Sequence, residues 1–390
     1  MNELISPQRA IHLIQDHLAC LPTERLQRSL LSGRVLANPI IADRDYPPYD
    51  RVTMDGVALQ FQEGRCEYNI SHTVEAGQPV VQASLSEVAY RINTGGVLPQ
   101  GCDTVVPVEE LTFRDDQVIL QSPDTVERGQ FIHRKGADTQ RGVEVLLKGT
   151  IIDSSVMLLL ASLGVAEASV YKAPRVALLT TGAEVIAPEE TPLPHQIRQS
   201  HQTMLSTALA TLGVTHLIHE HVADSREGFQ EFFDTHLAEV DLIITCGAIS
   251  KGTTDYLREV ISSFAGDPVF HGIAQRPGKP MAFWAAPLPI FSLPGNALSA
   301  LVCFHQYVQP AIRQMMGRGK REKRKVQVLG DIPTHRFALH IPARLEGAMH
   351  VRLLPTGNSG DFVSMVGSQG YVTLLPEHQE GDLVEFVSWL

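Results

Sequence analysis

Three short segments between residues 241 and 299 carry the residues best suited to chemistry: TCGAISKGTTD, RPGKP and LPGNALS. Each follows an apolar run with the composition of a buried strand (Leu242-Ile243-Ile244, Val269-Phe270 and Ile290-Phe291), and two of them lead into a helical pattern. In an open α/β sheet, ligands bind outside the carboxyl ends of the strands, so the three loops are expected at one shared site. Their contents suit an anion. Gly247, Gly252, Gly278 and Gly295 admit a close approach of backbone N–H groups, and Arg276 and Lys279 supply positive charge. Asn296 is placed to cap a helix running from residue 297 to about 316, with Gly317 as its stop. A tight turn and a helix cap account for LPGN taken alone; three such loops on successive strand ends point to a binding site.

The elements that must position these loops begin at Pro174, where strands alternate with helices: RVALLTT, a helix over 201–212, VTHLIHEHV, a helix over 225–240, DLIITC, and a helix over 256–264. Such alternation predicts a parallel, right-handed, doubly wound sheet covered by helices in three layers. Glu184 (TTGAE), Asp224 (VADS) and Asp255 (GTTD) then fall on one rim. Each acid also has a plain reading: Asp224 or Asp255 as a helix cap, and Asp55 of TMDG as a turn former.

Ahead of this region, residues 6–33 carry a helical pattern with Ser6 as cap and a break at Pro22, and 153–164 return to helix. Between them lie short strands and turns. The chain therefore reads as a multidomain α/β protein. An elongated helical domain takes in 1–50 and 140–173, with a β-rich domain inserted at 51–139. A three-layer doubly wound α/β domain spans 174–318, and a small β-barrel-like domain spans 326–390.

Composition narrows the classes. A chain of 390 residues is too long for one small core, and 44% hydrophobic with 19% charged residues is ordinary for a globular protein. No apolar run approaches the roughly 20 residues of a membrane span, and MNELISPQRA lacks the apolar stretch of a signal peptide, so a soluble, cytoplasmic protein is expected. The five cysteines are scattered without zinc-site spacing, which predicts neither disulfides nor zinc. His216, His219 and His221 alternate along a strand and read as its solvent or interface face rather than as metal ligands. A net charge of −11 argues against nucleic acid, and GRGKREKRK at 317–325 reads as a solvated linker.

Seven segments, in order and at similar spacing, resemble the molybdopterin molybdenumtransferases, the molybdate-inserting enzymes related to the carboxy-terminal domain of gephyrin. They are TMDG (53–56), NTGGVLPQGCDTVVPVEE (93–110), RKGAD (134–138), TTGAE (180–184), GAISKGTTD (247–255), PGKP (277–280) and LPGN (293–296). The resemblance spans nearly the whole chain. It implies an elongated homodimer of four-subdomain chains that takes adenylylated molybdopterin, inserts molybdate and releases AMP with Mg²⁺ assisting. A molybdopterin adenylyltransferase would act upstream, and molybdoenzymes or cofactor-maturation proteins would receive the product. Carried over by position, it implies catalytic roles for Asp55, Asp138, Glu184, Asp224 and Asp255, with Mg²⁺ on Asp224, Asp255 and Glu184. Substrate contacts would come from Thr181, Gly182, Gly247, Ser250, Gly252, Arg276, Pro277, Gly278, Lys279, Pro294, Gly295 and Asn296. Asp55 and Asp138 would complete a cleft formed across the dimer.

The chemistry fits such a role, since a phosphoanhydride joined to an anionic oxo-metal calls for a hard cation and fixed positive charge. The chain also departs from the family pattern. Gln199-Ser200-His201 stands for Asp-Ser/Thr-Asn, and Gly247-Ala248-Ile249-Ser250 for Gly-Gly-Val-Ser. Lys251 stands for a small or apolar residue, Ala297 for a proline, and Gly272 near where some members carry lysine. Three readings follow: the transferase, a non-catalytic molybdopterin-binding protein, or the same reaction with another oxyanion such as tungstate.

Overall fold

The computed structural model describes residues 4–82, 87–249, 256–358 and 360–389. They form two compact units, one from Met1–Asn38, Gly149–Leu160 and Val165–Leu390, the other from Pro39–Lys148 and Ala161–Gly164.

In the first unit, six strands build the sheet that carries the loops. They are β1 (Val176–Thr181), β2 (Leu217–Val222), β3 (Leu242–Cys246), β4 (Phe270–His271), β5 (Ala282–Trp284) and β6 (Ile290–Leu293), in the order β2-β1-β3-β6-β5-β4. The four strands β2, β1, β3 and β6 are parallel, whereas β5 runs antiparallel to both its neighbours. The wholly parallel sheet expected from the alternation is corrected here, because the residues between β5 and β6 are too few for a crossover, which takes a dozen or more. β1 and β3 are buried along their whole length and present alternate residues to two cores. Val176 and Leu178 meet Leu205, Leu209 and Phe304 on one face, while Ala177 and Leu179 meet Phe229, Phe233 and Leu257 on the other.

Helices His201–Thr211 and Arg226–His236 cover opposite faces in this way. The helix after β6 is continuous in sense but not in pitch: Ala297–Cys303 and Gln309–Met315 flank a π-helical turn at Phe304–Val308, and Gly317 (φ +67°) ends the run. The extra residue of a π turn rotates the side chains that follow, and here His305, Gln306 and Tyr307 are all buried.

The helix expected over 6–33 stops early. Ser6 caps it as foreseen, its Oγ accepting from Arg9 N at 3.1 Å, but it spans only Pro7–Asp16 and adds Ala10 and Ile14 to the α/β core. Beyond Pro22, Thr23–Gln27 is a strand paired antiparallel with Glu167–Tyr171, so pairing with a distant segment overrides local helical spacing. Ser154–Ser162 is helical, with Asp153 Oδ1 accepting from Val156 N at 2.9 Å. Of its apolar residues Leu160 is buried and Leu158 is 71% exposed.

Residues after 323 close a five-stranded barrel: Arg324–Leu329, His350–Leu353, Ala338–Glu346, Gly370–Leu374 and Leu383–Ser388, the last pairing back to the first. Gln275–Arg276 adds to its edge in parallel with Ala338 and Leu339. The second unit is organised on a six-stranded sheet with a hydrophobic cluster on each face. All five cysteines are free thiols, and among the described residues no helix is long and apolar enough to cross a membrane.

Candidate functional site

Three of the strand ends converge. β1 ends at the buried Thr181, and β3 runs into Gly247, whose backbone (φ +97°) lies so close that a Cβ there would stand 3.1 Å from Thr181 Cγ2. A Cβ on Gly295, just past β6, would lie 3.6 Å from Gly247 Cα. Gly182 has φ +131°, and the Glu184 carboxylate folds back over it, with Oε2 3.0 Å from where its Cβ would be. Two polar atoms at this junction lack a partner among the described residues: Thr181 Oγ1 and His201 Nε2, both buried. The His201 ring meets the Gly295 backbone, and its burial holds its pKa below the ordinary histidine value, with the Gly295 hydrogen bond opposing. Backbone that admits no side chain, beside a hydroxyl and one imidazole nitrogen without partners, is suited to a polar ligand.

The PGKP loop is positioned by a residue that sequence reading missed. Gln275 is buried, and its Nε2 donates to Pro277 O at 3.0 Å. Its Oε1 accepts from Tyr307 Oη and, at 3.2 Å, from His340 Nε2. His340 Nδ1 in turn accepts from Thr373 Oγ1 at 3.1 Å. Burial, helped by Lys323, drives the His340 pKa down to about 3, so the ring is neutral. Gly278 (φ +90°) packs against the helix after β6, where a Cβ would stand 2.4 Å from Cys303 Sγ. Held this tightly, the loop leaves Arg276 and Lys279 exposed at the rim, with Lys279 Nζ 5.8 Å from the Phe337 ring centre. A cavity of about 320 Å³ opens beside Arg276, Pro277 and Leu298, closed by His335, His340 and Asn358 of the carboxy-terminal segment. No local pattern could have paired Gln275 with a strand more than sixty residues away.

The acids divide. Ser225 takes the helix cap, its Oγ accepting from Gly228 N at 3.1 Å, which leaves the exposed Asp224 carboxylate without a partner among the described residues. Since Thr181 pairs with Val222, Glu184 and Asp224 follow neighbouring strand ends on the same rim. Ser250, Lys251, Gly252 and Asp255 lie outside the described residues. In the other unit, Asp55 Oδ1 accepts from Thr94 N at 2.6 Å, and bonds to Thr94 lower its pKa. The neighbouring Gly56 has no room for a side chain, since a Cβ would lie 2.0 Å from Val106 O. Asp138 accepts from His133 Nε2 at 2.9 Å, and His133 Nδ1 lies 3.3 Å from the Arg51 guanidinium. Among the described residues no group of three or more His, Cys, Asp and Glu could hold a metal ion. Asn296 occupies the N-cap position through its backbone, Asn296 O accepting from Ala300 N at 2.9 Å, but its side chain makes no capping bond to the helix. Its Oδ1 lies instead towards Gly360, 3.8 Å from where a Cβ there would stand, so the expected side-chain cap is not formed.

The strand histidines also have partners on the neighbouring strand. Gln199 Nε2 donates to Thr180 Oγ1 at 2.7 Å, and that hydroxyl lies 3.1 Å from both His219 Nε2 and His221 Nδ1. His221 Nε2 donates to Gly182 O at 3.2 Å. Burial, then the proximity of His221, lowers the His219 pKa. His219, half-buried, and His221, exposed, thus brace the TTGAE turn, and His216 and His221 meet solvent as the alternation suggested. Their alternation was legible; the hydroxyl on the paired strand that uses it was not.

Comparison with known proteins follows the same lines. The family described as MoeA N-terminal region (domain I and II) matches residues 5–164, and that described as Probable molybdopterin binding domain matches residues 177–314. A molybdopterin molybdenumtransferase of Synechocystis sp. is 34% identical, over 99% of this chain and 100% of its own. One from Haemophilus influenzae is 32% identical over 77% of this chain and 75% of its own. Among solved structures, the molybdopterin biosynthesis moea protein from Pyrococcus horikosii matches with a TM-score of 0.83 at 25% identity, covering 100% of both chains.

Proposed function

The chain belongs to the molybdopterin molybdenumtransferase family, and from that premise we propose that it inserts molybdate into adenylylated molybdopterin and releases AMP at the strand-end rim. The observation that carries this reading is the junction of Thr181, Gly247 and Gly295, where backbone is bare and buried polar atoms lack partners. Its relatives bear the transferase name, so a non-catalytic binding protein is not favoured.

The roles of individual residues are our assignment. Thr181, Gly182, Gly247, Pro294, Gly295 and Asn296 would receive the substrate, and Ser250 and Gly252 belong to the same loop set. Arg276 and Lys279, exposed on the rigid PGKP loop with Pro277 and Gly278, would offset charge on phosphate and molybdate as it develops. Mg²⁺ fits the donor chemistry, because one or two carboxylates with substrate phosphates and waters suffice, and Asp224 and Glu184 are exposed hard-oxygen donors on one rim. With Asp255 they would hold the ion, which supplies Lewis-acid stabilisation to the phosphoanhydride. Asp55 and Asp138 would act through the second unit.

We further assign a cytoplasmic homodimer, served by an adenylyltransferase and serving molybdoenzymes or their maturation proteins. The dimer is supported by the helix Ser154–Ser162, which is apolar nearly all round yet leaves Leu158 71% exposed. Sedimentation of an active monomer would remove that assignment.

The test of function is a single-turnover assay with adenylylated molybdopterin, Mg²⁺ and molybdate, following AMP and pterin-bound molybdenum together. Stoichiometric AMP release with molybdenum retained is expected. Tight pterin binding without AMP above the protein-free control would overturn the transferase. A run with tungstate in place of molybdate tests oxyanion choice.

A further inference from the structure

The basic run after the last α/β helix is not wholly a solvated linker. Arg313, Arg318, Lys320, Arg321 and Lys323 line a cavity of about 780 Å³, within the 300–1,000 Å³ range of small-ligand pockets. Arg313, Arg318 and Arg321 are each half-buried. The cavity shares no lining residue with the one beside Arg276 and Pro277.

Charge in this cavity is unbalanced. Its one carboxylate among the described residues, Glu385, is already engaged by Lys323 at 2.7 Å and Lys325 at 3.7 Å. Two of the guanidiniums bond to neutral acceptors, Arg313 to Gly319 O and Arg318 to Gly33 O. Carbonyls satisfy N–H groups without neutralising the charge, and Arg318 Nε is buried with no partner among the described residues. Burial, and the charge of Arg313 on its two neighbours, accordingly lowers the pKa values of Arg318 and Arg321. The negative end of the helix Gln309–Met315 lies close by, but its partial charge of about half a unit does not match Arg313, Arg318 and Lys320 together. In a chain of net charge −11 this concentration is local. The same cavity is lined by the apolar side chains of Ile11, Pro310 and Val387.

We propose that this cavity binds a nucleoside polyphosphate, with the phosphates on the arginine and lysine side chains and the nucleoside against Ile11, Pro310 and Val387. Planar guanidinium forks and lysine point charges suit phosphate oxygens. The apolar side chains suit a base or sugar face better than a second anion.

Calorimetry on the full-length protein in EDTA, with ATP, inorganic tripolyphosphate and citrate as probes, tests this. ATP is expected to bind more tightly than tripolyphosphate, and citrate at least tenfold more weakly. Lys320→Glu, at an exposed side chain, should weaken ATP binding at least tenfold without moving the thermal midpoint; Lys323→Gln should weaken it severalfold. Lys279→Ala, at the strand-end rim, should leave it unchanged, and raised salt should weaken it. No ATP binding at millimolar concentration, or binding lost in Lys279→Ala and kept in Lys320→Glu, overturns the site. Equal affinity for tripolyphosphate removes the nucleoside, and equal affinity for citrate removes the phosphate.

Discussion

Asp224 carries an exposed carboxylate that no described neighbour holds, because Ser225 has taken the cap. Removing its charge therefore tests chemistry without disturbing packing. Asp224→Asn is expected to slow AMP release by about 100-fold or more, with stability unchanged to within about 0.5 kcal/mol; single-turnover rates and thermal melts check both. Ala248 poses the opposite case. It stands where the family carries glycine and is held at φ +50°, a region that costs a residue with a Cβ roughly 1–2 kcal/mol. Ala248→Gly should raise stability by about 1 kcal/mol in urea denaturation. No gain would mean that the loop stores no strain there. The departure was visible in the sequence, but the backbone angle that gives it a sign was not.

At the scale of elements, the site rests on how two loops are braced. The PGKP loop hangs on Gln275, which joins the π turn through Tyr307 and the barrel through His340. Gln275→Leu would strand Pro277 O, Tyr307 Oη and His340 Nε2 in a dry interior. A loss of about 2–4 kcal/mol is expected, with kcat/KM falling because Arg276 and Lys279 lose their placement. Chemical denaturation and steady-state kinetics would read the two effects; a variant as stable as the parent would show that Gln275 is no brace. The helix after LPGN was legible from its apolar spacing. The π turn inside it was not, since it inserts one residue without altering which residue types are buried.

The whole molecule responds to pH through histidines that its cores keep neutral. Burial holds His340 at about 3 and His305 at about 4, against 6.5 for a free ring. His340 is faced by Gln275, Thr373 and the Lys323 charge, and His305 by Gln309, Arg321 and the Trp389 ring. Below pH 6.5 the unfolded chain binds protons that the native state refuses, so stability is complete above that pH and declines as pH falls towards 4. Each group contributes a slope of about 1.4 kcal/mol per pH unit well below 6.5. Melts between pH 8 and 4.5 should show this decline, and His340→Gln should flatten it; a slope unchanged in that variant would exclude His340.

Within the sequence, short-range chemistry was decided: glycines where backbone must approach, acids after strands, apolar spacing of the long helix, and seven segments whose order and spacing resemble one family. These are local, carried by residue type and interval along the chain. Tertiary structure alone decided that β5 turns back antiparallel, that the segment after Pro22 pairs as a strand with 167–171, and that the barrel supports PGKP through Gln275. It also decided that His219 and His221 meet the Thr180 hydroxyl on the paired strand. Each depends on which distant segment pays for a buried polar group or an open strand edge, and that partner is set by packing of the whole chain rather than by any window of it.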